Sequence, residues 1–217
     1  MMISIPTIKR FPSYLRLLQY YKEKGFSWIS ATTLAEDLGL TAVQVRKDMA
    51  GTGVEGKPKV GFEIAPLIDA IMQNLGWDQP TDAILVGAGH LGGALARYEG
   101  FASYGLRIIA VFDNDPVKIG MKIGTITVLP MKELRQYIDE HSVHIAVMAV
   151  PAATAQELAE DLVSFGIKAI WNFAPKDLKL PAYVIVQRTD LATSFAVLSA
   201  KCKQLLSCGQ SAKNELV

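Results

Sequence analysis

Ile84-Leu85-Val86-Gly87-Ala88-Gly89-His90-Leu91-Gly92 is an apolar run that stops at a Gly-x-Gly-x-x-Gly turn. A helical pattern follows, from Leu91 to Tyr104. In a β-α-β unit the three glycines have separate tasks. Gly87 makes the tight turn out of the strand, Gly89 leaves room for a pyrophosphate, and Gly92 lets the helix pack closely on the sheet. Around Ala88, His90 and Leu91 the helix start presents unpaired N–H groups to the phosphates. A second apolar run, Ile108 to Phe112, ends at Asp113. That acid lies about twenty residues on, where a carboxylate can hold the adenosine ribose hydroxyls. Its charge repels a 2′-phosphate, so the pattern favours NAD(H) over NADP(H).

Downstream, the alternation continues. After a turn at Asn114–Gly120, Lys118 is placed to approach the adenosine end of a cofactor. A strand near Ile126–Leu129 leads into a helix over 131–140. The apolar run Ile145 to Val150 stops at Pro151, at the rim where an open parallel sheet binds its ligand. A helix over 153–165 follows, with Leu158, Leu162 and Phe165 inward. The strand over 169–173 ends at Asn172-Phe173-Ala174-Pro175, again at that rim. A strand over 183–187 precedes a final helix, capped by Asp190 and running to about Leu206. Strands alternating with helices predict an α/β fold, a Rossmann-like doubly wound parallel sheet. The final helix has no further strand to cover, so its apolar residues, Leu191, Ala192, Phe195 and Leu198, suit a partner subunit.

Upstream the pattern is helical. A helix over 12–24 ends at Gly25. A short helix over 32–38, capped by Ser30 or Thr32, closes at Gly39. A third starts at Thr41, where Thr41 and Gln44 have capping-box spacing. Val43 and Ala50 are expected inward. Helix, glycine turn, helix is the helix-turn-helix pattern. Gln44 and Arg46 on the second helix can pair with base edges, and Lys47 can reach a phosphate. Gly51 to Phe62 is dense in glycine and proline and reads as a hairpin wing, with Lys57 and Lys59 straddling Pro58. Pro66 opens a helix to Leu75, and Gly76–Thr81 is a linker. The predicted domains are 1–79, a winged helix-turn-helix DNA-binding domain; 80–189, an NAD(H)-binding domain; and 190–217, a dimerisation helix and tail.

Of the 217 residues half are hydrophobic and a fifth charged, and the net charge is +1. The charge is unevenly spread. Residues 1–60 carry Lys9, Arg10, Arg16, Lys22, Lys24, Arg46, Lys47, Lys57 and Lys59 against five acids, whereas residues 80–217 are balanced. A local basic excess on a neutral chain suggests a polyanion site at the N-terminal end. Cys202 and Cys208, six apart, do not match a zinc framework, and no other metal site is expected. With no signal peptide and no membrane-spanning run, a reducing cytoplasm is the expected location.

Read together, the two halves resemble the redox-sensing transcriptional repressor family called Rex. The resemblance runs to about residue 200. It rests on Ile5-Pro6 with Lys9-Arg10-Phe11-Pro12, Gln44-Val45-Arg46-Lys47-Asp48, Gly61-Phe62, the glycine loop, Phe112-Asp113 with Lys118-Ile119-Gly120, Val150-Pro151-Ala152, Gly166-Ile167-Lys168 with Asn172-Phe173-Ala174-Pro175, and Asp190-Leu191-Ala192. It implies a homodimer that binds operator DNA, tolerates NAD+ there, and leaves DNA when NADH closes the dimer. The last helix is then swapped into the partner. Lys9 and Arg10, with Lys47, Lys57 and Lys59, contact phosphates. An apolar slot near Tyr98, Phe173 and Leu191 takes the reduced nicotinamide, and Arg16 pairs with Asp190 between domains. The chain departs from the family's usual aromatic turn with Ala50-Gly51-Thr52-Gly53, and its wing reads Gly56-Lys57-Pro58-Lys59.

Two other classes fit parts of the pattern: an NAD-dependent dehydrogenase, or a CoA-binding Rossmann module without DNA binding. A dehydrogenase needs an acid or base beside the nicotinamide. His90 lies in the phosphate loop, and His141 and His144 lie at a helix-to-strand connection. No catalytic residue is expected.

Overall fold

The computed structural model describes residues 3–214, with side chains described through residue 206 apart from that of residue 191. It divides into two compact units, 1–81 with 100–106, and 82–99 with 107–217.

In the first unit α1 spans Ile5–Glu23, β1 Trp28–Ile29, α2 Ala31–Leu38, α3 Ala42–Ala50, β2 Phe62–Glu63 and α4 Ile64–Leu75. Helix α1 starts seven residues before the expected boundary. Ser4 caps it, accepting from the Thr7 N–H at 3.3 Å, and Pro6 fits the first turn, where a missing N–H costs nothing. Pro12, expected to open the helix, lies inside it. Ser30 caps α2, accepting from Thr33 N–H at 3.0 Å, and Thr41 caps α3, accepting from Gln44 N–H at 3.2 Å. The buried stripe of α3 is Val45, Asp48 and Met49. Val43, expected inward, is 69% exposed, and Ala50 is exposed too. The stripe contains a carboxylate, and a search for apolar residues slides past it onto the wrong phase. Phe11, Tyr14, Leu18, Leu34, Met49 and Leu67 close the core. β1 and β2 pair antiparallel, and the wing projects from them: the Lys57 carbonyl accepts from Val60 N–H at 3.2 Å and Gly61 N–H at 2.9 Å.

In the second unit β3 is Thr81–Val86, α5 His90–Ala96, β4 Leu106–Asp113, β5 Lys122–Ile123, β6 Ile126–Pro130, α6 Leu134–His141, β7 Ile145–Met148, α7 Ala152–Ser164, β8 Ala169–Asn172, β9 Ile185–Arg188 and α8 Leu191–Asn214. The sheet order is β5-β6-β4-β3-β7-β8-β9. β7 lies parallel to β3 and β8 to β7, while the short β5 runs antiparallel to β6. Strand order therefore reverses between β3 and β7, which opens a crevice at their C-terminal ends. Alternate residues face opposite layers: Ile84 and Val86 pack with Leu134, Ile138, Leu158 and Leu162, and Leu85 and Val111 pack with Leu95 and Trp171.

Helix α5 ends at Ala96, not at Tyr104; a 3₁₀ turn follows over Glu99–Tyr104. The cause is visible in the first unit, which takes in Gly100–Leu106. The Tyr104 ring packs on Trp77, centroids 4.9 Å apart, and the Gly105 carbonyl accepts from Thr81 N–H at 2.7 Å. These tertiary contacts override a locally helical pattern. Helix α8 runs past Leu206 to Asn214. Phe195, Leu198, Leu205 and Leu206 are each more than 60% exposed along it. Cys202 on this helix is exposed; the side chains of Leu191 and Cys208 lie outside the described residues.

Candidate functional site

The glycine loop after β3 builds the first site. Gly87 has φ +102°, and a Cβ there meets the Ala149 carbonyl oxygen at 2.4 Å. A Cβ at Gly92 falls 1.8 Å from the Gly87 carbonyl oxygen, so helix and loop touch through hydrogen alone. At Gly89 a Cβ has nothing within 4 Å. Its missing side chain leaves open space, not room for a neighbour.

That space belongs to a cavity of about 590 Å³ at the crevice. Gly87, Gly89, His90, Leu91, Asp113, Lys118, Val150 and Pro151 line it, as the sequence led one to expect. So do Asn114, Met131, Ala149, Thr154, Glu157, Leu158 and Asp161, which sequence reasoning missed. Four of these sit on α7 at positions 154, 157, 158 and 161, one stripe of a helix. Leu158 was read only as core, and it serves as both.

Asp113 is 6% exposed. Its Oδ2 accepts from Ala88 N–H at 2.6 Å and from Lys118 Nζ at 3.2 Å, and its Oδ1 from Asp115 N–H at 2.8 Å. Burial pushes the carboxyl up, but the N–H groups of Asp115 and Ala88 and the Lys118 ammonium pull it further down, for a net fall below the ordinary value. The acid therefore clamps the glycine loop as well as facing the cavity. Ala88 serves through this amide and lines a neighbouring hollow with Arg97, Lys118 and Lys122. Gly92 lies buried beneath the loop.

The structure does not bring Tyr98 or Phe173 to this cavity. Tyr98 follows the far end of α5 and is 53% exposed. Phe173 packs against Trp171, centroids 4.9 Å apart, in the apolar layer on the other face of the sheet, with Ala88 and Leu95. Asn172 is buried and holds its own loop: Nδ2 donates to the Lys176 carbonyl at 2.8 Å, and Oδ1 accepts from Ala174 N–H at 2.9 Å. His141 stacks on Tyr137 at 3.9 Å, away from the lining. Asp190 accepts from Arg188 Nη2 at 2.7 Å and from Ala192 N–H at 2.9 Å, so it caps α8. Arg16 is exposed and donates to Ser13 Oγ at 3.1 Å.

The second site is a groove of about 860 Å³ in the first unit. Arg46 of α3 and Lys57 and Lys59 of the wing line it together, with Ser30 and Thr32 at the start of α2. Lys47 is exposed on α3 and Lys9 on α1. Lys57 Nζ sits 4.4 Å over the Trp28 ring. Lys59 follows Pro58 and has φ +66°. Pro then positive φ is the type II turn, which favours glycine at the second place. A lysine held there costs about 1–2 kcal/mol.

Two expected DNA contacts are revised. Arg10 Nε and Nη2 donate to the two oxygens of Asp48, both at 2.7 Å, so one edge of its guanidinium is committed to the fold while the side chain stays 27% exposed. Gln44 Nε2 donates to Asp48 Oδ1 at 2.9 Å, so only part of its amide is left outward. Tyr14 Oη and Thr7 Oγ1 complete the shell, each at 2.9 Å. The sequence signal was an acid inside an otherwise basic helix. Burial pushes the Asp48 carboxyl up, and its donors from Arg10, Tyr14, Thr7 and Gln44 pull it further down, for a net fall below 3.8. A carboxyl lowered on folding adds stability above its unfolded value and loses it as pH falls through the folded one. Melting of the full chain should hold steady down to about pH 4 and fall below it. Asp48→Asn should flatten that acid limb; an unchanged limb would assign it to other carboxylates.

Residues 78–176 match the family "CoA binding domain", and residues 2–50 match the family "Putative DNA-binding protein N-terminus". A redox-sensing transcriptional repressor Rex of Treponema denticola is 45% identical over 193 residues, 89% of this chain and 92% of that one. The chain belongs to the Rex family. A second Rex, of Carboxydothermus hydrogenoformans, is 42% identical over 89% of this chain and 93% of its own. The Rex-family repressor RSP, solved with NAD+ and operator DNA, has a TM-score of 0.89 at 32% identity and covers 100% of both chains. RSP with NADH has a TM-score of 0.85 and covers 97% of this chain and 99% of its own. Relatives are named as repressors of transcription, not as enzymes, which sets the dehydrogenase alternative aside. The match to a CoA binding domain describes the Rossmann-like half alone; the N-terminal match and the basic groove set aside a module without a DNA-binding part. Among the described residues no group of three or more His, Cys, Asp or Glu could hold a metal ion, and no helix is long and apolar enough to cross a membrane.

Proposed function

We propose that this chain is a cytoplasmic repressor that binds operator DNA as a homodimer and leaves it when NADH rises relative to NAD+. Residues 1–79 hold the DNA, 80–189 the dinucleotide, and 190–217 join the subunits through the apolar face of α8. The observation that carries the reading is the cavity at the strand-order reversal, with an unobstructed Gly89 at its mouth and a clamped acid at its ribose end. RSP was solved both with NAD+ on operator DNA and with NADH.

NADH and NAD+ differ by a hydride and a positive charge, so discrimination lies at the nicotinamide ring. The neutral ring enters an apolar slot to which Tyr98, Phe173 and Leu191 belong once two subunits assemble. The charged ring loses solvation there. A ligand moves an equilibrium only through its different affinity for the two states. Arg16 and Asp190 pair in one state only, and so link ring binding to the spacing of the two α3 helices. The test titrates NADH into a preformed operator complex. Release by NADH and not by NAD+ is expected, with coupling of about 1–3 kcal/mol. Asp190→Ala should still bind NADH and fail to release DNA. Parent protein that stays bound at saturating NADH sinks the reading.

On DNA, Arg46 reads a base and Lys9, Lys47, Lys57 and Lys59 contact phosphates. A residue held in a strained conformation points to a use for its side chain, and Lys59 is one. Arg46→Ala should cost about 1–3 kcal/mol and relax one base pair. Lys59→Ala should weaken all sequences alike and reduce the salt slope by about 0.9. Equal loss on operator and random DNA would remove Arg46 from base contact.

A further inference from the structure

Helix α3 exposes Arg46 and Lys47 but turns Asp48 fully inward, at 1% exposure. Five donor contacts converge on that carboxylate, from Arg10 twice, Tyr14, Thr7 and Gln44. Such a group only accepts hydrogen bonds. The amide of Gln44 must therefore meet it with nitrogen, not oxygen, and its orientation is settled by chemistry. One N–H is spent on Asp48. The carbonyl oxygen and the second N–H remain on a half-buried side chain at the first turn of α3; they lie side by side when Asp48 takes the N–H that points away from the oxygen.

We propose that Asp48 is a positioning residue that locks the Gln44 amide so that α3 reads an adenine in the major groove. The inference rests on α3 being the helix that enters the groove. Adenine offers an N6–H donor beside the N7 acceptor, the complement of an oxygen beside an N–H. Guanine offers acceptors at both places, so the locked oxygen faces O6 and is repelled. An unlocked glutamine turns over and loses this distinction. Arg10 has a supporting part: its two contacts at 2.7 Å neutralise Asp48, so no bare negative charge lies behind a DNA-facing helix.

The test uses the full-length protein and an operator selected from random duplexes. Each half-site should contain one adenine at which guanine, 7-deazaadenine and purine each weaken binding about tenfold, the loss expected of a broken bidentate pair. Asp48→Asn places an amide that both donates and accepts, and so frees Gln44. It should lower the adenine-over-guanine preference at that position about tenfold and leave the other positions as they were. If it weakens every sequence by one factor and keeps the adenine preference, Asp48 is only structural and the proposal falls. If Gln44→Ala leaves all base preferences intact, the fault lies in the groove-reading assignment of α3 instead. Should Asp48→Asn fail to fold, NMR of the parent protein decides: the Gln44 side-chain N–H pair should be as ordered as the backbone and slow to exchange, and free averaging overturns the lock.

Discussion

Gly89→Val folds as the parent chain does and loses NADH by a hundredfold or more, about 2.8 kcal/mol at 1.4 kcal/mol per tenfold. The two halves of that result have separate causes. Gly89 has φ −71° and ψ −171°, which any residue adopts, and a side chain there meets no protein atom within 4 Å. The folded chain therefore accepts valine, apart from about 1 kcal/mol for a poorer helix cap. The ligand does not, because the branched side chain fills the space where a pyrophosphate approaches the loop. Gly92→Ala is the control of opposite kind. Its methyl falls 1.8 Å from the Gly87 carbonyl oxygen, so α5 must lift from the sheet and the melting temperature should fall by several degrees. Calorimetry with NADH and thermal unfolding separate the two. The Gly89→Val dimer should remain on its operator at any NADH concentration. Retention of NADH affinity within about threefold would place the pyrophosphate elsewhere.

The glycine loop was legible because each of its constraints acts on a few neighbouring residues. Strand, turn and helix start are local, and a side chain at Gly92 is excluded by atoms of the same β-α-β unit, whereas one at Gly87 is excluded by the Ala149 carbonyl beyond β7. The caps at Ser30 and Thr41 were legible for the same reason. What escaped was set by distant parts of the chain. Helix α5 stops at Ala96 because Tyr104 and Gly105 answer to Trp77 and Thr81, whose pairings no local pattern records. The phase of α3 was misread because its buried stripe includes Asp48, made tolerable by Arg10 and Tyr14 some thirty-odd residues earlier. Once that carboxylate is inside, Gln44 and Arg10 turn toward it, and two side chains that looked free for DNA become half-buried and partly committed to the fold. The α7 wall of the cavity escaped because Thr154, Glu157, Leu158 and Asp161 make an ordinary helical stripe, and only the sheet order puts that stripe beside the glycine loop.

Asp113→Asn is expected to narrow the preference for NADH over NADPH by about tenfold, the effect of removing one charge near a phosphate. In the parent chain the carboxylate is ionised throughout the neutral range, since its net shift is downward, so any change of the preference between roughly pH 6 and 8 comes from the 2′-phosphate, whose second pKa is about 6. Oδ2 is taken by Ala88 N–H and Lys118, and Oδ1 holds Asp115 N–H; a ribose hydroxyl uses the lone pair left on Oδ1. A 2′-phosphate brought to the same place meets that charge at hydrogen-bond distance. The asparagine keeps one acceptor for the hydroxyl, removes the charge and leaves Lys118 paired with Asp115 alone, at 3.4 Å, so that it can turn toward a phosphate. Most of the narrowing should therefore come from tighter NADPH, with NADH weakened only a few-fold. Asp113→Ala is the harsher change. It strands the Asp115 N–H as well as the Ala88 N–H, which asparagine already leaves facing an NH2, and loosens the loop that cradles the pyrophosphate, so both cofactors should weaken about tenfold or more. Adding Lys118→Ala to Asp113→Asn should take back the gain in NADPH, because the lysine is the cation that made it. Parent protein that binds NADPH as well as NADH would leave Asp113 as a loop clamp only, with cofactor choice set elsewhere.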